Sequence, residues 1–572
     1  MSVEASVRAT LDPEYRGILL AGDSSLSNEL RWRGIRFRKK GHLLLVPFDQ
    51  AEALLDVGFQ WETLAARAVT NRRHVRLSAP EVIVRAREVA SRGPSEARRV
   101  LGEHRWSRVL DDHQILNVAI MTIPRLWGGS IFDEQGTGKT PTTIAIFDVL
   151  MERGDVDVLL VVAPKSMMGE WPREVQRFSD NLYATVVVQG TRKDRSSAIR
   201  SGGDVIVANY EGVVSMLDDL ALLAQRARVM LAVDESFFVK NPEASRSSAL
   251  RTLREWCTCA YVLCGTPAPN RPDDVVAQFD LVDFGYAFNG IRLETDSDLA
   301  ADQVRTVMDS RSVVVRSTKR DALPNLPSRS FHEVVIDMAP LQRAAYDAAL
   351  RNLILDLRSV SDHEFSRNIA GFFERRATLL RICSDPSPVV PGYEELPGKV
   401  EALDALLDRL IRKEGEKIVL WSFYRASIKR LVRRYEGYGV VRIDGSVVDV
   451  GDRQIAVRRF QEDDSIRLFV GNPAAAGAGL TLHRARIAVY ESLSNQAAHY
   501  MQSLDRIHRR GQDREVEYFT LLANDSLEPG EYRRLVEKAQ RQSDLLGDPP
   551  DPAVTRQIML EELLATHEVC RA

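Results

Sequence analysis

The segment Gln502-Ser-Leu-Asp-Arg-Ile-His-Arg-Arg-Gly-Gln512 decides the fold when it is combined with Asp133-Glu-Gln-Gly-Thr-Gly-Lys-Thr140, far upstream. Arg506 and Arg509 are three residues apart, so on a helix both side chains point the same way. Arginines placed like this stabilise the charge that develops on a γ-phosphate, and the upstream segment is a glycine-rich loop typical of phosphate sites. Together the two segments predict a motor made of two ATPase-type lobes.

Length and composition indicate a globular chain of several domains. A chain of 572 residues is too long for one hydrophobic core, and 44% hydrophobic with 27% charged residues is an ordinary soluble balance. The net charge of -3 means that any contact with nucleic acid must come from local basic patches. The five cysteines form no CxxC pair and are typical of buried thiols in a reducing compartment. The first fifteen residues lack the apolar core of a secretory signal.

Hydrophobic runs, turn residues and charge divide the chain into five regions. Short β-branched runs alternate with helical periodicity in 106–290 and again in 396–540, which is typical of open α/β sheets with ligands at the strand ends. Residues 291–395 are more helical, residues 1–105 are basic and mixed, and 541–572 form a tail. The expected fold class is α/β, with two parallel-sheet lobes, a helical insertion and a small mixed N-terminal domain. Strands are expected at Val156–Val162, Ala184–Val188, Val205–Ala208, Met230–Val233, Ala260–Leu263, Lys417–Ser422, Val440–Ile443, Ile466–Val470, Arg486–Tyr490 and Val516–Leu522.

The glycine-rich loop follows the apolar run Ser130–Phe132 and precedes a helical stretch, which is the context that a phosphate loop requires. Lys139 would neutralise the phosphates of ATP, and the Thr140 hydroxyl would ligate Mg²⁺. Asp133 stands where the strict pattern has glycine, so the pentapeptide alone is also compatible with an ordinary turn. The residues expected to bind the nucleotide through this loop and the helix N-terminus are Gly136, Thr137, Gly138, Lys139 and Thr140.

An acidic pair, Asp234 and Glu235, ends the hydrophobic run Val229–Val233. A carboxylate at a strand end can hold Mg²⁺, as we expect of Asp234, while its neighbour Glu235 polarises the attacking water. An acidic pair after a strand is usually only a helix cap. The catalytic interpretation depends on the order of the blocks: the glycine-rich loop comes first, the acidic pair follows, and Gly265-Thr-Pro267 comes after the next strand. Gln114 precedes the loop and offers the donor and acceptor that reading adenine requires, although an isolated glutamine is usually a surface residue.

Cations alternate with aromatic and apolar residues in Arg31-Trp-Arg-Gly-Ile-Arg-Phe-Arg-Lys-Lys40, which leads into Leu43–Pro47. This pattern predicts a hairpin or paired strands. Two interpretations stay open: a small nucleic-acid-binding or regulatory module, or a half-buried strand with a solvated face. In the first interpretation the candidate nucleic-acid contacts are Arg31, Arg33, Arg36 and Arg38.

Nine blocks in this order resemble the motifs of superfamily 2 helicases and, among these, of the Snf2 (SWI2/SNF2-like) family of DNA translocases. The resemblance covers about 108–540, and its most family-specific part is a bridging segment. The blocks are Asp133–Thr140, Val161–Trp171, Asp234–Pro242, Leu263–Asn270, Val315–Pro327 with Leu380–Pro386, Lys417–Tyr424, Arg442–Ser446, Gly477–Leu482 and Gln502–Gln512. The chain departs from the family pattern at Ser236-Phe237, Ala474 and Asn495–Ala497, which puts in doubt how nucleotide state is coupled to DNA.

The resemblance implies two RecA-like lobes that close on ATP and Mg²⁺, with double-stranded DNA running across both. It implies that Lys165 and Asn209 contact the DNA backbone, and that opening and closing move the motor without necessary strand separation. A compact bacterial or bacteriophage member, cytoplasmic in a bacterial or phage-infected host cell and without a membrane partner, is expected. A strand-separating DNA or RNA helicase, a motor on a polymerase–nucleic-acid complex and a non-hydrolysing DNA-binding scaffold stay open. So do a nuclease, a DNA-repair factor or a defence factor as protein partners.

Overall fold

The structure is a computed structural model of the chain. It describes residues 7–22, 25–102, 104–265, 267–268, 272–447, 449–475, 480–494 and 496–543. Three sheets organise these residues, and two of the three are entirely parallel. In the described part of the chain no helix is long and apolar enough to cross a membrane.

The N-terminal segment forms a mixed sheet in the order β3-β4-β2-β1-β5, followed by a long helical segment that is kinked at Gly93. Its elements are β1 Arg8–Leu11, β2 Gly17–Ala21, α1 Leu26–Trp32, β3 Arg38–Lys40, β4 Leu43–Pro47, α2 Phe48–Ala51, β5 Gln60–Trp61 and α3 Thr63–Leu101. The predicted pairing with Leu43–Pro47 is confirmed, since β3 and β4 are antiparallel. The prediction of a strand is wrong for Arg31 and Trp32, which end α1. That helix forms because Leu26 and Leu30, one turn apart, are both buried in the core of the N-terminal sheet.

The first lobe is built on a seven-stranded parallel sheet with helices on its faces. Its elements are α4 Asp112–Met121, β6 Gly128–Ile131, α5 Lys139–Glu152, β7 Val158–Ala163, α6 Glu170–Phe178, β8 Thr185–Val187, α7 Arg192–Ser201, β9 Val205–Asn209, α8 Tyr210–Ser215, α9 Leu217–Arg226, β10 Val229–Asp234, α10 Ser245–Arg254, β11 Cys259–Leu263, α11 Val276–Asp283, α12 Ser297–Arg311 and β12 Val314–Val315. The strand order is β12-β6-β11-β10-β7-β9-β8. The central strands are continuous apolar runs because both faces of the sheet are covered. Buried residues of α3 belong to the same core.

The segment between the lobes is mainly helical, yet it supplies one edge strand to each parallel sheet. After β12 come α13 Lys319–Ala322, β13 Arg329–Ile336, α14 Pro340–Ser359, α15 Asp362–Arg367 and α16 Ile369–Ser384. β12 pairs with β6 of the first lobe, whereas β13 pairs with the last strand of the second. The predicted helical insertion is therefore confirmed, and the chain crosses between the lobes from Arg316 to Ser328.

The second lobe is a six-stranded parallel sheet in the order β13-β18-β17-β14-β16-β15. Its remaining elements are α17 Gly398–Leu407, β14 Ile418–Trp421, α18 Arg425–Arg434, β15 Val440–Ile443, α19 Val450–Glu462, β16 Leu468–Gly471, β17 Ile487–Tyr490, α20 Ala497–Leu504, β18 Val516–Ala523 and α21 Glu528–Ser543. Alternate residues of β14 enter the two cores, Val419 and Trp421 on one face and Ile418 and Leu420 on the other. The α/β fold class and the ten predicted strands are confirmed, with small shifts at the strand ends.

Candidate nucleotide site

Three loops of the first lobe meet at one edge of its sheet. β6, β11 and β10 are neighbours and parallel, so the chain segments that follow them lie side by side. Those segments carry the phosphate loop, Gly265 and the acidic pair. The sheet order therefore brings together blocks that lie far apart in the sequence.

The phosphate loop has the backbone of an anion-binding turn. Gly136 and Gly138 have φ angles of 85° and 97°, in the left-handed region that favours glycine. Gln114 holds this loop: its Nε2 donates to the Gly138 carbonyl at 3.2 Å, and its Oε1 accepts from the Asp111 amide at 2.9 Å. A Cβ on Gly138 would lie 2.2 Å from Gln114 Nε2. The adenine contact of Gln114 stays a prediction, and it would require the exchange of one of these bonds.

Lys139 begins α5 and points back into the loop, where its Nζ donates to the carbonyls of Asp133 at 2.9 Å and Glu134 at 3.2 Å. The Asp133 carboxylate accepts from Asn117 Nδ2 and from the Ser317 amide, both at 2.7 Å. Burial raises the pKa of Asp133, which has no exposed surface. An aspartate at this position thus ties the phosphate loop to the segment that leads into the second lobe, which glycine could not do.

The acidic pair is buried and held by three polar neighbours. Trp171 Nε1 donates to Asp234 Oδ2 at 2.9 Å, and Gln135 Nε2 donates to Glu235 Oε1 at 2.8 Å. The Tyr210 hydroxyl donates to the Asp234 carbonyl at 2.6 Å. Burial, and then the charge of Asp234, raise the pKa of Glu235 to about 7. Glu235 Oε2 is buried and has no hydrogen-bond partner among the described residues.

These residues fit ATP with Mg²⁺. A buried carboxylate oxygen without a partner is costly unless a bound group completes it. Lys139 places a cation at the N-terminus of α5, where backbone amides and the helix dipole favour phosphate. The half-buried Thr140 is the second residue of α5, and Thr140 and Asp234 are the residues that would hold the metal ion.

The second lobe brings Arg506 and Arg509 to this cleft, but not on a helix. The helix expected at Arg506 and Arg509 is absent, because α20 ends at Leu504 and both arginines lie in the turns that follow. The Arg506 carbonyl accepts from the Leu482 amide at 2.9 Å, so it is not available for a helical bond.

Both arginines still face the same way. The Nη1 atoms of Arg506 and Arg509 donate to the Leu480 carbonyl at 3.4 Å and 3.3 Å. Burial and the neighbouring Arg509 lower the pKa of Arg506 to about 10, while Glu235 favours its charged form. Arg509 Cβ lies 3.4 Å from the place where a Cβ on Gly136 would stand, so this side chain touches the phosphate loop.

Lys319 joins the two lobes at the same place. Its Nζ forms an ion pair with Asp505 and donates to the His508 carbonyl at 2.8 Å. Its backbone amide donates to Glu134 Oε2 at 2.6 Å. A second ion pair across the cleft joins Arg510 to Asp111. Sequence reasoning missed Lys319, because its partners are about 185 residues away along the chain in both directions.

Comparison with known proteins agrees with this geometry. The model of the SNF2-related domain matches residues 111–388, and that of the helicase conserved C-terminal domain matches 398–511. The chain belongs to the Snf2 family of helicase-like proteins.

Two curated relatives illustrate the extent of the match. The chain is 27% identical to the yeast protein "ISWI chromatin-remodeling complex ATPase ISW1", over 72% of this chain and 38% of the relative. It is 28% identical to mouse "Chromodomain-helicase-DNA-binding protein 1-like", over 71% of this chain and 46% of the relative. The matches thus span less than half the length of these two relatives. A solved structure, the Sulfolobus solfataricus SWI2/SNF2 ATPase core in complex with dsDNA, is 22% identical and covers 76% of this chain and 92% of that one, with a TM-score of 0.35.

One departure from the Snf2 pattern has a partner in the structure. The Ser236 hydroxyl donates to Gln278 Oε1 at 2.6 Å, and Gln278 Nε2 donates to the Pro267 carbonyl, also at 2.6 Å. Gln278 is fully buried and joins the loop after β10 to the loop after β11. No motif in the sequence marks Gln278, because its partners lie 42 and 11 residues away on other segments.

The predicted DNA contacts of the first lobe lie at one edge of its sheet. Lys165 is exposed just after β7, and Asn209 ends the neighbouring β9, where it is in register with Ala163. Asn209 Oδ1 accepts from the Gly212 amide at 2.7 Å, so it also caps α8. Parts of the quoted blocks lie outside the described residues, as does most of the predicted tail: Thr266, Pro269, Asn270, 476–479, Asn495 and 544–572.

Proposed function

We propose that this chain is an ATP-dependent motor that moves along double-stranded DNA by hydrolysing ATP between two RecA-like lobes. One observation carries the proposal: Arg509 of the second lobe lies against Gly136 of the first-lobe phosphate loop, at the cleft where Glu235 Oε2 has no hydrogen-bond partner among the residues that the structure describes. A nucleotide in that cleft would be contacted by both lobes. Hydrolysis would then depend on how the lobes are arranged.

Each residue has a distinct task in this proposal. MgATP, when bound, supplies the phosphoryl group to be transferred and the divalent charge. Lys139 places a positive charge at the phosphates, and Thr140 with Asp234 holds the ion. Glu235 Oε2 accepts a proton from the attacking water; its pKa of about 7 suits a base near neutral pH. Arg506 and Arg509 stabilise negative charge that develops on the γ-phosphate, and they do so only when the lobes are closed.

The phosphate loop is mechanically connected to the second lobe. Asp133 accepts from the Ser317 amide, and Lys319, two residues further, pairs with Asp505 beside the arginines. A change at the phosphates therefore has a short route to the second lobe through residues 317–319. Lys165 and Asn209, which lie at the ends of the neighbouring strands β7 and β9 of the first lobe, would hold the DNA backbone. Such contacts are salt-dependent and largely independent of sequence.

The test is ATP hydrolysis by the full chain with and without blunt duplex DNA. We expect duplex-stimulated activity in the wild type and its loss in Lys139→Ala. Lys193→Ala, which removes an exposed lysine on α7, is the matched control and should keep the wild-type rate. Stimulation that is absent in the wild type, or that survives in Lys139→Ala, would refute the motor.

A second assay separates translocation from unwinding. A translocase should displace a triplex-forming strand from an intact duplex and leave a forked duplex paired. Release of the forked strand without triplex displacement would make the chain a strand-separating helicase instead.

A further inference from the structure

The N-terminal sheet carries an exposed surface that lies outside both segments matched by the family models. We call it the basic corner, and it consists of Arg31, Trp32, Arg36, Arg38 and Lys39. All five side chains are exposed, and Trp32 is 86% exposed. The corner is formed by the end of α1, the turn at Gly34 and the edge strand β3.

The charge of this surface is only partly balanced. The stretch from Ser25 to Leu43 contains six lysines and arginines and a single acid, Glu29. Glu29 pairs with Arg33, and Asp49 pairs with Arg36 at 3.0 Å. Lys40 pairs with Asp12 and Glu14. In the described part of the chain Arg38 and Lys39 have no acidic partner, so the corner keeps unbalanced positive charge.

Protection of the sheet edge explains only part of this pattern. Cations on an edge strand such as β3 discourage pairing with another chain, which accounts for Arg38 and Lys39. It does not account for Trp32, which lies on α1 rather than on the edge. A tryptophan exposed beside cations instead matches surfaces on which nucleic-acid bases stack while the backbone is neutralised.

We infer that the basic corner binds unpaired DNA, with a base stacked on Trp32 and phosphates held by Arg38 and Lys39. In an intact duplex both faces of a base are covered by its neighbours, so a surface indole has no face to meet. A single strand, a gap or a frayed end exposes a base face on which the indole can stack. Arg31 precedes Trp32 in α1, and Arg36 follows the turn at Gly34. Both can exchange their present contacts, a stack on Phe37 and the pair with Asp49, for phosphates.

The N-terminal sheet and α3, which carry the basic corner, are joined to the first lobe by hydrogen bonds and an ion pair. The Tyr15 hydroxyl donates to Thr252 Oγ1 at 3.0 Å, and the buried Glu255 accepts from Arg72 at 2.7 Å and Asn71 at 2.8 Å. DNA bound at the corner is therefore held relative to the first lobe. The inference goes beyond movement along a duplex, because it gives the motor a second site for a different form of DNA.

The test measures binding of a fluorescent oligo-dT of about twenty nucleotides, longer than one such site covers, to the full chain by anisotropy. We expect Trp32→Ala to weaken binding about tenfold and Trp32→Phe to retain most of it. Replacing both Arg38 and Lys39 by alanine should also lower the slope of log K against log salt by about 1.4, since about 0.7 is lost per phosphate contact on a single strand. Arg85→Ala, an exposed arginine on α3, is the control and should bind as the wild type does.

The motor provides an independent readout. Duplex-stimulated ATP hydrolysis should be unchanged in Trp32→Ala, so failure of this inference and failure of the proposed function are separate results. Oligo-dT that contains 5-bromodeoxyuridine should photocross-link to Trp32.

Three results would overturn the inference. The first is wild-type binding of oligo-dT by Trp32→Ala, and the second is an equal loss on oligo-dT and blunt duplex. The third concerns two other ligands, poly-glutamate and oligo-rU. If Trp32→Ala loses binding only to poly-glutamate, the corner binds an acidic protein, and if it loses binding only to oligo-rU, the corner binds RNA.

Discussion

Glu235 has a φ of 51°, a conformation that costs a residue with a side chain of order 1 kcal/mol or more. The Tyr210 hydroxyl, which contacts the carbonyls of Asp234 and Glu235, and the amide of Gln135 oppose this cost. The Glu235 Oε2 atom is buried and has no hydrogen-bond partner within the described part of the chain. The pair of acids is thus fixed before any ligand binds, which reduces the reorganisation needed for hydrolysis.

Ser236 and Gln278 provide a test of how this fixation is achieved. We expect Ser236→Ala and Gln278→Leu each to lower the duplex-stimulated kcat about tenfold with little change in the KM for ATP, because neither side chain contacts the phosphate loop. The double variant should be no worse than the more damaging single variant, since both remove one shared hydrogen bond.

Steady-state kinetics of the four proteins measures this cycle, with thermal unfolding as a check that each is folded. Gln225→Ala, an exposed glutamine on α9, is the control. Losses that simply add would show that Ser236 and Gln278 act independently.

Among the elements, the bridging segment shows why a short stretch can couple two lobes. β12 is an edge strand of the first sheet and β13 is an edge strand of the second. Between them, α13 carries Lys319, which pairs with Asp505 beside Arg506 of the second lobe. Lys319 is buried, and burial lowers its pKa, so its charge depends on Asp505.

We therefore expect Lys319→Met to remove duplex stimulation of ATP hydrolysis while nucleotide binding persists. The substitution leaves Asp505 without its cation. Removing one partner of a buried ion pair destabilises the folded arrangement by roughly 3–5 kcal/mol. Nucleotide affinity by fluorescence titration and kcat by steady-state assay separate the two effects. Lys413→Met, at an exposed position beyond α17, should behave as the wild type. Full stimulation in Lys319→Met would show that coupling takes another route.

The helix α3 attaches the N-terminal sheet to the first lobe through Glu255, which is 1% exposed. We expect Glu255→Ala to destabilise this attachment by about 2 kcal/mol or more, because it leaves Arg72 half-buried without its partner. Arg76→Ala, also on α3, breaks the more exposed pair with Glu52 and should cost less than about 1 kcal/mol. Denaturant unfolding measures the free energy of unfolding of both variants. Equal losses would show that the buried Glu255 does not hold the N-terminal sheet to the first lobe.

At the scale of the whole molecule, the sequence predicted what local patterns determine. Apolar runs gave the strands, and glycine spacing gave the phosphate loop. The end of α20 at Leu504 was not predictable, because it depends on the Leu482 amide taking the Arg506 carbonyl. Lys319 and Gln278 were missed for the same reason: their partners become neighbours only when the sheets are assembled.

Each lobe has its own hydrophobic core, and among the described residues no core cluster spans the cleft between the lobes. Ion pairs of Lys319 with Asp505 and of Arg510 with Asp111 cross it. Because polar contacts hold a boundary less cooperatively than a shared core would, we expect two transitions in scanning calorimetry of the free protein.

A slowly hydrolysed ATP analogue with Mg²⁺ should raise both transitions, since a ligand at one hundred times its Kd adds about 2.7 kcal/mol to the state that binds it. Arg506→Ala should leave only the first-lobe transition raised, because the second lobe then loses a direct contact with the nucleotide. Removal of Mg²⁺ with EDTA should diminish both shifts, as expected if Thr140 and Asp234 bind the ion. If both transitions rise equally in Arg506→Ala, the nucleotide does not depend on that arginine to join the lobes, and the closure on which the motor relies must come from elsewhere.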